Sequence, residues 1–195
     1  MRIYKHRVNS RSELLGLPSI IGAEIDLRSK SDSLILAHDA FKPGELFKDW
    51  LSAWKGQPLI LNVKEDSLED AIIELLEKHG ITDFFFLDQS YPSIRRMIAM
   101  GITKVATRVS DYEDLNTALK SQSDWVWLDS FSGSWNYLMH ATKVITNNGQ
   151  KSCLVSPELQ RVNSGDELNQ LRKMILDYGL ILDAVCTKIP ERWMQ

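Results

Sequence analysis

The stretch GAEIDLRSKSDSLILAHDA, residues 22–40, starts with an alternation of apolar and acidic side chains that is typical of a β-strand. Side chains alternate between the two faces of a strand, so Glu24 and Asp26 share one face. Two neighbouring carboxylates raise each other's pKa unless a cation or a strong donor lies between them. The pair therefore either faces water on an edge strand or surrounds a cation, and both remain open. A second apolar run ends at His38 and Asp39, an imidazole with a carboxylate beside it.

Length and composition predict one domain over residues 1–195. The chain has 44% hydrophobic residues, which is enough for one core, and no linker divides it. The formal net charge is −3, and Lys and Arg are scattered along the chain. A nucleic-acid partner needs a basic patch, so we expect none.

The sequence also predicts a cytoplasmic protein without stable membrane insertion. No apolar run is long enough to span a bilayer. The charged N-terminus is not followed by the apolar segment that a signal peptide needs, so we expect no signal peptide. Cys153 and Cys186 lie inside apolar runs, where a cysteine is usually a reduced core residue. The sequence makes no prediction of the oligomeric state.

The rest of the chain repeats one pattern, in which a helix ends at a glycine and a short apolar strand then ends at a polar residue. Strands are predicted over residues 2–8, 22–29, 34–37, 58–63, 84–87, 105–109, 125–128, 153–155 and 182–186. Helices are predicted over residues 11–17, 45–55, 67–78, 90–100, 112–122, 135–147 and 166–178, with caps at Asn9 or Ser10 and at Ser67.

This alternation predicts an α/β fold with a parallel sheet. The number of strands is close to eight, which favours a small TIM-type (β/α)8 barrel with short connections. An open doubly wound sheet is the alternative, but neither nucleotide-binding glycine motif, GxGxxG or GxxxxGK[ST], is present to support it.

A barrel would gather the carboxyl ends of its strands at one mouth. Polar side chains at those ends could hold a hard cation through carboxylates, an anion through Arg7 and Lys64, and protons on His6 and His38. Guanidinium and ammonium groups beside a cation favour phosphate as that anion. This prediction requires His6, Glu24, Asp26, His38 and Lys64 to converge in one pocket.

Four short motifs, in order and approximate spacing, resemble the HR, ExD, HD and ExK motifs of the glycerophosphodiester phosphodiesterases. They are His6-Arg7, Glu24-Ile25-Asp26, His38-Asp39 and Leu61-Asn62-Val63-Lys64. Near the end of the chain, Thr187-Lys188-Ile189-Pro190 is similar to the TDxP pattern of that family. The resemblance implies a phosphatidylinositol-specific phospholipase C-like barrel and a divergent, short member of the family.

The resemblance also implies a role for each matched residue. His6 and His38 would be the catalytic acid and base, and Arg7 and Lys64 would contact phosphate. The metal ligands would be Glu24, Asp26 and Asn62. Further substrate contacts at strand ends would be Asp88, Arg108, Asp129 and Lys188.

The implied function is a metal-dependent hydrolase of lipid metabolism that cleaves a small phosphodiester linked to a polyol or sugar. Its cofactor would be Mg²⁺ or Ca²⁺. Asn62 stands where the family has a glutamate, which weakens the expected metal site. Val8 and Asn9 replace the glycine that follows HR, and Lys188 replaces the carboxylate of TDxP.

Two other functions remain open. Each of these departures moves the site toward positive charge, which would suit a binding protein for a phospho-sugar or a phospholipid head group without hydrolysis. The other is a lyase that releases a cyclic phosphate.

Overall fold

The computed structural model of the chain describes residues 1–160 and 165–194. The strands are β1 (Arg2–Lys5), β2 (Gly22–Lys30), β3 (Ser33–Leu36), β4 (Glu45–Leu46), β5 (Leu59–Val63), β6 (Phe84–Leu87), β7 (Ala106–Val109), β8 (Trp125–Leu128), β9 (Lys151–Val155) and β10 (Ala184–Thr187). The helices are α1 (Arg11–Leu15), α2 (Phe47–Leu51), α3 (Glu69–Lys78), α4 (Tyr91–Ala99), α5 (Leu115–Ser121), α6 (Leu138–Asn147) and α7 (Gly165–Asp177).

Eight parallel strands form a closed ring in the order β1-β2-β5-β6-β7-β8-β9-β10, and β10 pairs with β1. The junction between β6 and β7 is the weakest in the ring, since one residue pair, Phe86 and Val105, joins them. The Phe86 amide also donates to the Lys104 carbonyl at 2.9 Å. The TIM-type barrel predicted from the sequence is confirmed.

β3 and β4 lie outside the ring, which corrects the expectation that the strand before His38 is a barrel strand. β2 is nine residues long and continues past the mouth, and β3 returns antiparallel beside it. The Ala37 amide donates to the Asp26 carbonyl at 3.0 Å. The returning strand thus brings His38 down to the mouth.

Two local predictions need correction. The helix expected over residues 45–55 is wrong at its start, because Glu45–Leu46 pairs with β3 and α2 covers only Phe47–Leu51. Ser67 does not cap α3. Its φ is 74°, and Leu68 takes the cap position without a side-chain hydrogen bond.

Two other local features can be compared with the sequence. Ser10 caps α1 in a reciprocal capping box with Glu13, as predicted. After β10 the described chain forms a 3-10 turn at Pro190–Arg192, where an eighth α-helix would complete a regular (β/α)8 ring. None of the described helices is long and apolar enough to cross a bilayer.

Aromatic side chains fill the lower part of the barrel, below the mouth. Phe85 and Trp125 stack with ring centroids 4.4 Å apart, and Tyr4 meets Phe85 edge to face at 6.0 Å. Cys153 and Cys186 lie among them as buried free thiols, which confirms their prediction as core residues. This packed layer forms a floor beneath the polar mouth.

Gly22, the first residue of β2, is required by the packing of this floor. A Cβ at Gly22 would lie 2.3 Å from Cδ1 of Tyr4 and 2.9 Å from the Pro58 carbonyl oxygen. Tyr4 is fully buried, so its ring has little room to move away.

We predict that Gly22→Ala lowers the free energy of unfolding by about 1–3 kcal/mol, because overpacking forces side chains and backbone to shift. Urea unfolding followed by circular dichroism measures the change. Gly165→Ala is the control, because a Cβ there meets open space. Equal stability of Gly22→Ala and the wild type would contradict the packing described here.

Candidate active site

Glu24 and Asp26 lie inside the barrel mouth, and both are completely buried. β2 pairs with β1 on one side and with β5 on the other, so it is not an edge strand of the ring. The alternative of two water-facing carboxylates is therefore excluded. Hydrogen-bond donors and cations of the mouth surround the carboxylates of Glu24 and Asp26.

The Glu24 carboxylate accepts two hydrogen bonds. The Arg7 backbone N–H donates to Oε2 at 2.6 Å, and Asn62 Nδ2 donates to Oε1 at 2.9 Å. Arg7 has a φ of 56°, a backbone conformation that is uncommon outside glycine and costs free energy. Burial and the neighbouring Asp26 still raise the pKa of Glu24.

Asp26 is bound by Asn9 through two hydrogen bonds. Asn9 Nδ2 donates to Asp26 Oδ2 at 2.7 Å, and the Asp26 N–H donates to Asn9 Oδ1 at 2.9 Å. Two cations also approach the Asp26 carboxylate, Arg7 Nε at 3.8 Å from Oδ2 and Lys64 Nζ at 3.3 Å from Oδ1. The sequence predicts a helix cap at Asn9 or Ser10 and does not indicate this role of Asn9.

Asp88 lies between two cations of the mouth. Lys64 Nζ donates to Asp88 Oδ2 at 3.1 Å, and Arg108 forms an ion pair with Oδ1. Burial raises the pKa of Asp88, but the charges of Arg108 and Lys64 outweigh it and hold the pKa below its ordinary value. The Asp88 carboxylate is thus engaged in orienting Lys64 and Arg108.

The two predicted catalytic histidines occupy different environments. His6 is largely buried, with Nε2 3.9 Å from Glu24 Oε2, and its Nδ1 has no hydrogen-bond partner. Burial, followed by the charge of Arg7, lowers the pKa of His6 to about 3. His38 is partly exposed, and its Nδ1 lies 2.7 Å from Asp39 Oδ1.

Asp129 and Lys188 complete the set of predicted mouth residues. Asp129 accepts hydrogen bonds from the Ser130 N–H and from Gln160 Nε2, both at 2.8 Å, and burial raises its pKa. The Lys188 N–H donates to Glu158 Oε1 at 3.0 Å, and its Nζ donates to the Glu158 carbonyl at 3.2 Å. The Lys188 charge contributes to the lowered pKa of His6.

Glu158 is a second residue of this region whose role the sequence reasoning missed. One of its carboxylate oxygens, Oε1, accepts from the Thr187 hydroxyl at 2.5 Å, and Oε2 from the Ser156 hydroxyl. The 3-10 turn after β9, Pro157–Leu159, therefore supplies a carboxylate beside the position where the TDxP pattern would place its own.

Two buried oxygens of the mouth, Asp26 Oδ1 and Asn62 Oδ1, accept no hydrogen bond, and the Lys64 ammonium forms an ion pair with Asp26 Oδ1 at 3.3 Å. These residues are directly opposite each other in the pairing of β2 and β5. Buried polar atoms normally have a partner, so the two oxygens fit a site for an oxygen-preferring cation. In the described part of the chain, no group of three or more His, Cys, Asp or Glu forms a metal cluster. A cation bound here would have two carboxylates, Glu24 and Asp26, and one amide, Asn62, as protein ligands.

Solved structures of the same architecture cover almost the whole chain. The glycerophosphodiester phosphodiesterase of Thermotoga maritima matches with a TM-score of 0.73 at 13% identity, over 100% of this chain and 97% of its own. The enzyme of Agrobacterium tumefaciens matches with a TM-score of 0.72 at 11% identity, over 100% of both chains. This chain has the fold of the glycerophosphodiester phosphodiesterases.

A third structure of this fold, a glycerophosphodiester phosphodiesterase from Parabacteroides distasonis, matches with a TM-score of 0.70 at 15% identity, over 99% of this chain and 94% of its own. No protein-family model matches the sequence, and no curated protein matches it either. At such low identity the likeness establishes the glycerophosphodiester phosphodiesterase fold, which confirms the resemblance at that level. The roles of the individual residues remain predictions.

We predict that Glu24→Gln raises the free energy of unfolding in the presence of a chelator at pH 8, by about 1–3 kcal/mol. Glutamine keeps an oxygen for the N–H of Arg7 and removes a charge repelled by Asp26. The raised pKa means that wild-type stability from Glu24 is fully present below pH 4.5 and is lost as pH rises through about 7.

Urea unfolding of both proteins at pH 4.5 and pH 8 measures this difference, which should grow with pH. A Glu24→Gln variant that is no more stable than the wild type at pH 8 would show that burial of the charged Glu24 carboxylate does not lower the free energy of unfolding.

Proposed function

We propose that the chain is a phosphodiester hydrolase that acts on a small substrate with the help of a divalent cation. The observation that carries this proposal is the pair of buried oxygens without donors, Asp26 Oδ1 and Asn62 Oδ1, beside a set of basic side chains. A cation site next to basic groups matches the charge distribution of a phosphodiester. The shared fold supports the same class of reaction.

Arg7, Lys64 and Arg108 would bind the phosphate. The Arg7 guanidinium is partly exposed, so it can meet a ligand that enters the mouth. Lys64 and Arg108 are held by Asp88, which fixes their positions before a ligand binds. Such fixed positive groups stabilise charge that develops on phosphoryl oxygens without reorganisation during the reaction.

Glu24, Asp26 and Asn62 would hold the divalent cation, Mg²⁺ or Ca²⁺, because all three offer oxygen atoms. When bound, such a cation neutralises charge on the phosphoryl oxygens. One amide in place of a carboxylate leaves a donor set with less negative charge, so we expect weak binding of the cation.

His6 and His38 would transfer the protons. His6 is neutral at pH 7 and would accept the proton of the attacking water or substrate hydroxyl once the phosphate offsets the charges of Arg7 and Lys64, which lower its pKa. The oxygen of that group bonds to phosphorus, and the bond from phosphorus to the leaving oxygen breaks. His38 would then protonate the leaving alkoxide, and the contact of its Nδ1 with Asp39 Oδ1 at 2.7 Å would orient the imidazole ring.

The choice of attacking group separates hydrolysis from the lyase alternative. Attack by water gives hydrolysis, whereas attack by a neighbouring hydroxyl of the substrate gives a cyclic phosphate. A binding protein without turnover is the second candidate, and Asn62 favours it because the amide lowers the negative charge available to a cation.

Hydrolysis of a generic chromogenic phosphodiester, with Mg²⁺, Ca²⁺, Mn²⁺ or EDTA, tests the proposal. We expect metal-dependent turnover by the wild type and a loss of about 10²–10⁴-fold in His38→Ala. His140→Ala is the matched control, because His140 is exposed on α6 and should leave turnover unchanged.

Asn62→Glu separates the two candidate functions. A wild type that is inert beside an active Asn62→Glu would favour the binding protein. Turnover that persists unchanged in EDTA or in His38→Ala would contradict the proposed mechanism.

A further inference from the structure

Exposed aromatic side chains are concentrated around the mouth of the barrel. In the described residues, the exposed aromatic side chains are Phe41, Tyr91, Tyr112, Phe131 and Tyr178. Tyr91, Tyr112 and Phe131 follow β6, β7 and β8, and Phe41 follows β3 just beyond His38. Tyr178 lies at the opposite end of the barrel, directly after α7. A group of large apolar rings in solvent marks a binding surface, and the proposed mechanism uses none of these rings.

Tyr112 and Phe131 form a contacting pair on neighbouring connections, after β7 and β8. Their ring centroids are 6.1 Å apart, and their planes are inclined by 52°. Tyr112 is 79% exposed and Phe131 is 41% exposed, so the contact between the rings covers only part of their surface. Much of this aromatic pair is therefore open to a ligand that enters the mouth.

Hydrogen bonds from the backbone to side chains hold the two connections in place. The Phe131 N–H donates to Asp111 Oδ1 at 3.0 Å, and the Ser132 N–H donates to Asp111 Oδ2 at 2.7 Å. The Tyr112 N–H donates to the Ser110 hydroxyl oxygen at 3.1 Å. The aromatic pair is thus carried by an ordered backbone, which reduces the conformational entropy that a ligand would remove on binding.

The aromatic pair is continuous with the proposed phosphate site. The guanidinium carbon of Arg108 lies 5.7 Å from the centre of the Phe131 ring, within the range of a cation–π contact. Arg108 also pairs with Asp88, which holds Lys64. With a phosphate bound by Arg108 and Lys64, one of the organic groups on phosphorus would lie next to the rings of Tyr112 and Phe131.

The surroundings of the aromatic pair favour a planar aromatic ring over a sugar or a membrane surface. Both oxygens of Asp111 accept backbone N–H groups, so a sugar hydroxyl would find them occupied. Asp111, Glu113 and Asp114 flank Tyr112 with negative charge, which repels the anionic surface of a membrane leaflet. A planar ring needs only the exposed faces of Tyr112 and Phe131, on which any base can stack.

We propose that Tyr112 and Phe131 stack on a planar aromatic ring of the substrate, and that this ring is the base of a nucleoside joined to the phosphate. The inference rests on the proposed phosphodiesterase function and adds to it the class of one organic group. The two ends of a nucleotide match the two parts of this surface, because Arg108 would bind the phosphate while the base contacts the aromatic pair.

Calorimetric titration with adenosine 5′-phosphate and with methyl riboside 5-phosphate, in the same buffer with Mg²⁺, tests the aromatic pair without turnover. The two probes share the sugar and the phosphate and differ in the base. We expect the wild type to bind the adenosine compound at least about fivefold more tightly, the lower range for a base stacked on an aromatic side chain.

Variants of the aromatic pair assign this preference to its rings. In the double variant Tyr112→Ala, Phe131→Ala the affinity ratio of the two probes should fall to about one. Tyr112→Phe keeps the ring and should keep the ratio. Tyr178→Ala is the matched control, because it removes an exposed ring at the opposite end of the barrel and should leave the ratio unchanged.

Turnover separates this proposal from the proposed hydrolase. The methyl phosphodiesters of the same two compounds should differ in kcat/KM in the same direction, and the double variant should lose the difference. Base-dependent binding without hydrolysis of either diester would support the aromatic pair and reject only the hydrolase. Equal binding of the two phosphates, undetectable binding of both, or equal kcat/KM for the two diesters would overturn the proposal. A preference for the adenosine compound that persists in the double variant would overturn it as well.

Discussion

The structure depends on the burial of two neighbouring carboxylates in the mouth of the barrel. Glu24 and Asp26 are fully buried on one strand, and burial together with the neighbouring Asp26 raises the pKa of Glu24. The surrounding chain offsets this cost with N–H donors from Arg7, Asn9 and Asn62. Natural proteins keep such costly arrangements at functional sites, where a perturbed pKa indicates binding or catalysis. The mouth is therefore the region where we propose that a ligand adds the missing stabilisation.

Most of the barrel could be predicted because its strands are short apolar runs bounded by glycines and polar residues. The predictions for 84–87 and 125–128 agree with the observed strands to the residue. The errors arose where tertiary pairing overrides local pattern. Glu45–Leu46 lies in a stretch with helical spacing, yet it pairs with β3, a contact that no local signal encodes. Ser67 likewise matches a capping motif but adopts a positive φ.

The site could be predicted where residues follow strand ends, because parallel strands bring those ends together. His6, Arg7 and Lys64 reach the acidic pair for this reason. The hydrogen-bond partners of Asn9 and Glu158 were missed because each partner lies on another element, and nothing in the neighbouring sequence indicates it. The sequence predicts that Asp88 lies at a strand end, but no local pattern indicates that Lys64 and Arg108 pair with it.

Crystallography with Mn²⁺ tests whether Asp26 and Asn62, whose Oδ1 atoms accept no hydrogen bond, bind a cation. Crystals of the wild type soaked in Mn²⁺ and measured at the manganese absorption edge would locate the ion. We expect an anomalous peak in contact with Asp26 Oδ1, Asn62 Oδ1 and the Glu24 carboxylate, at about 2.0–2.6 Å from the oxygens. A fully soaked crystal with no anomalous peak in the mouth would contradict binding of a cation by these residues.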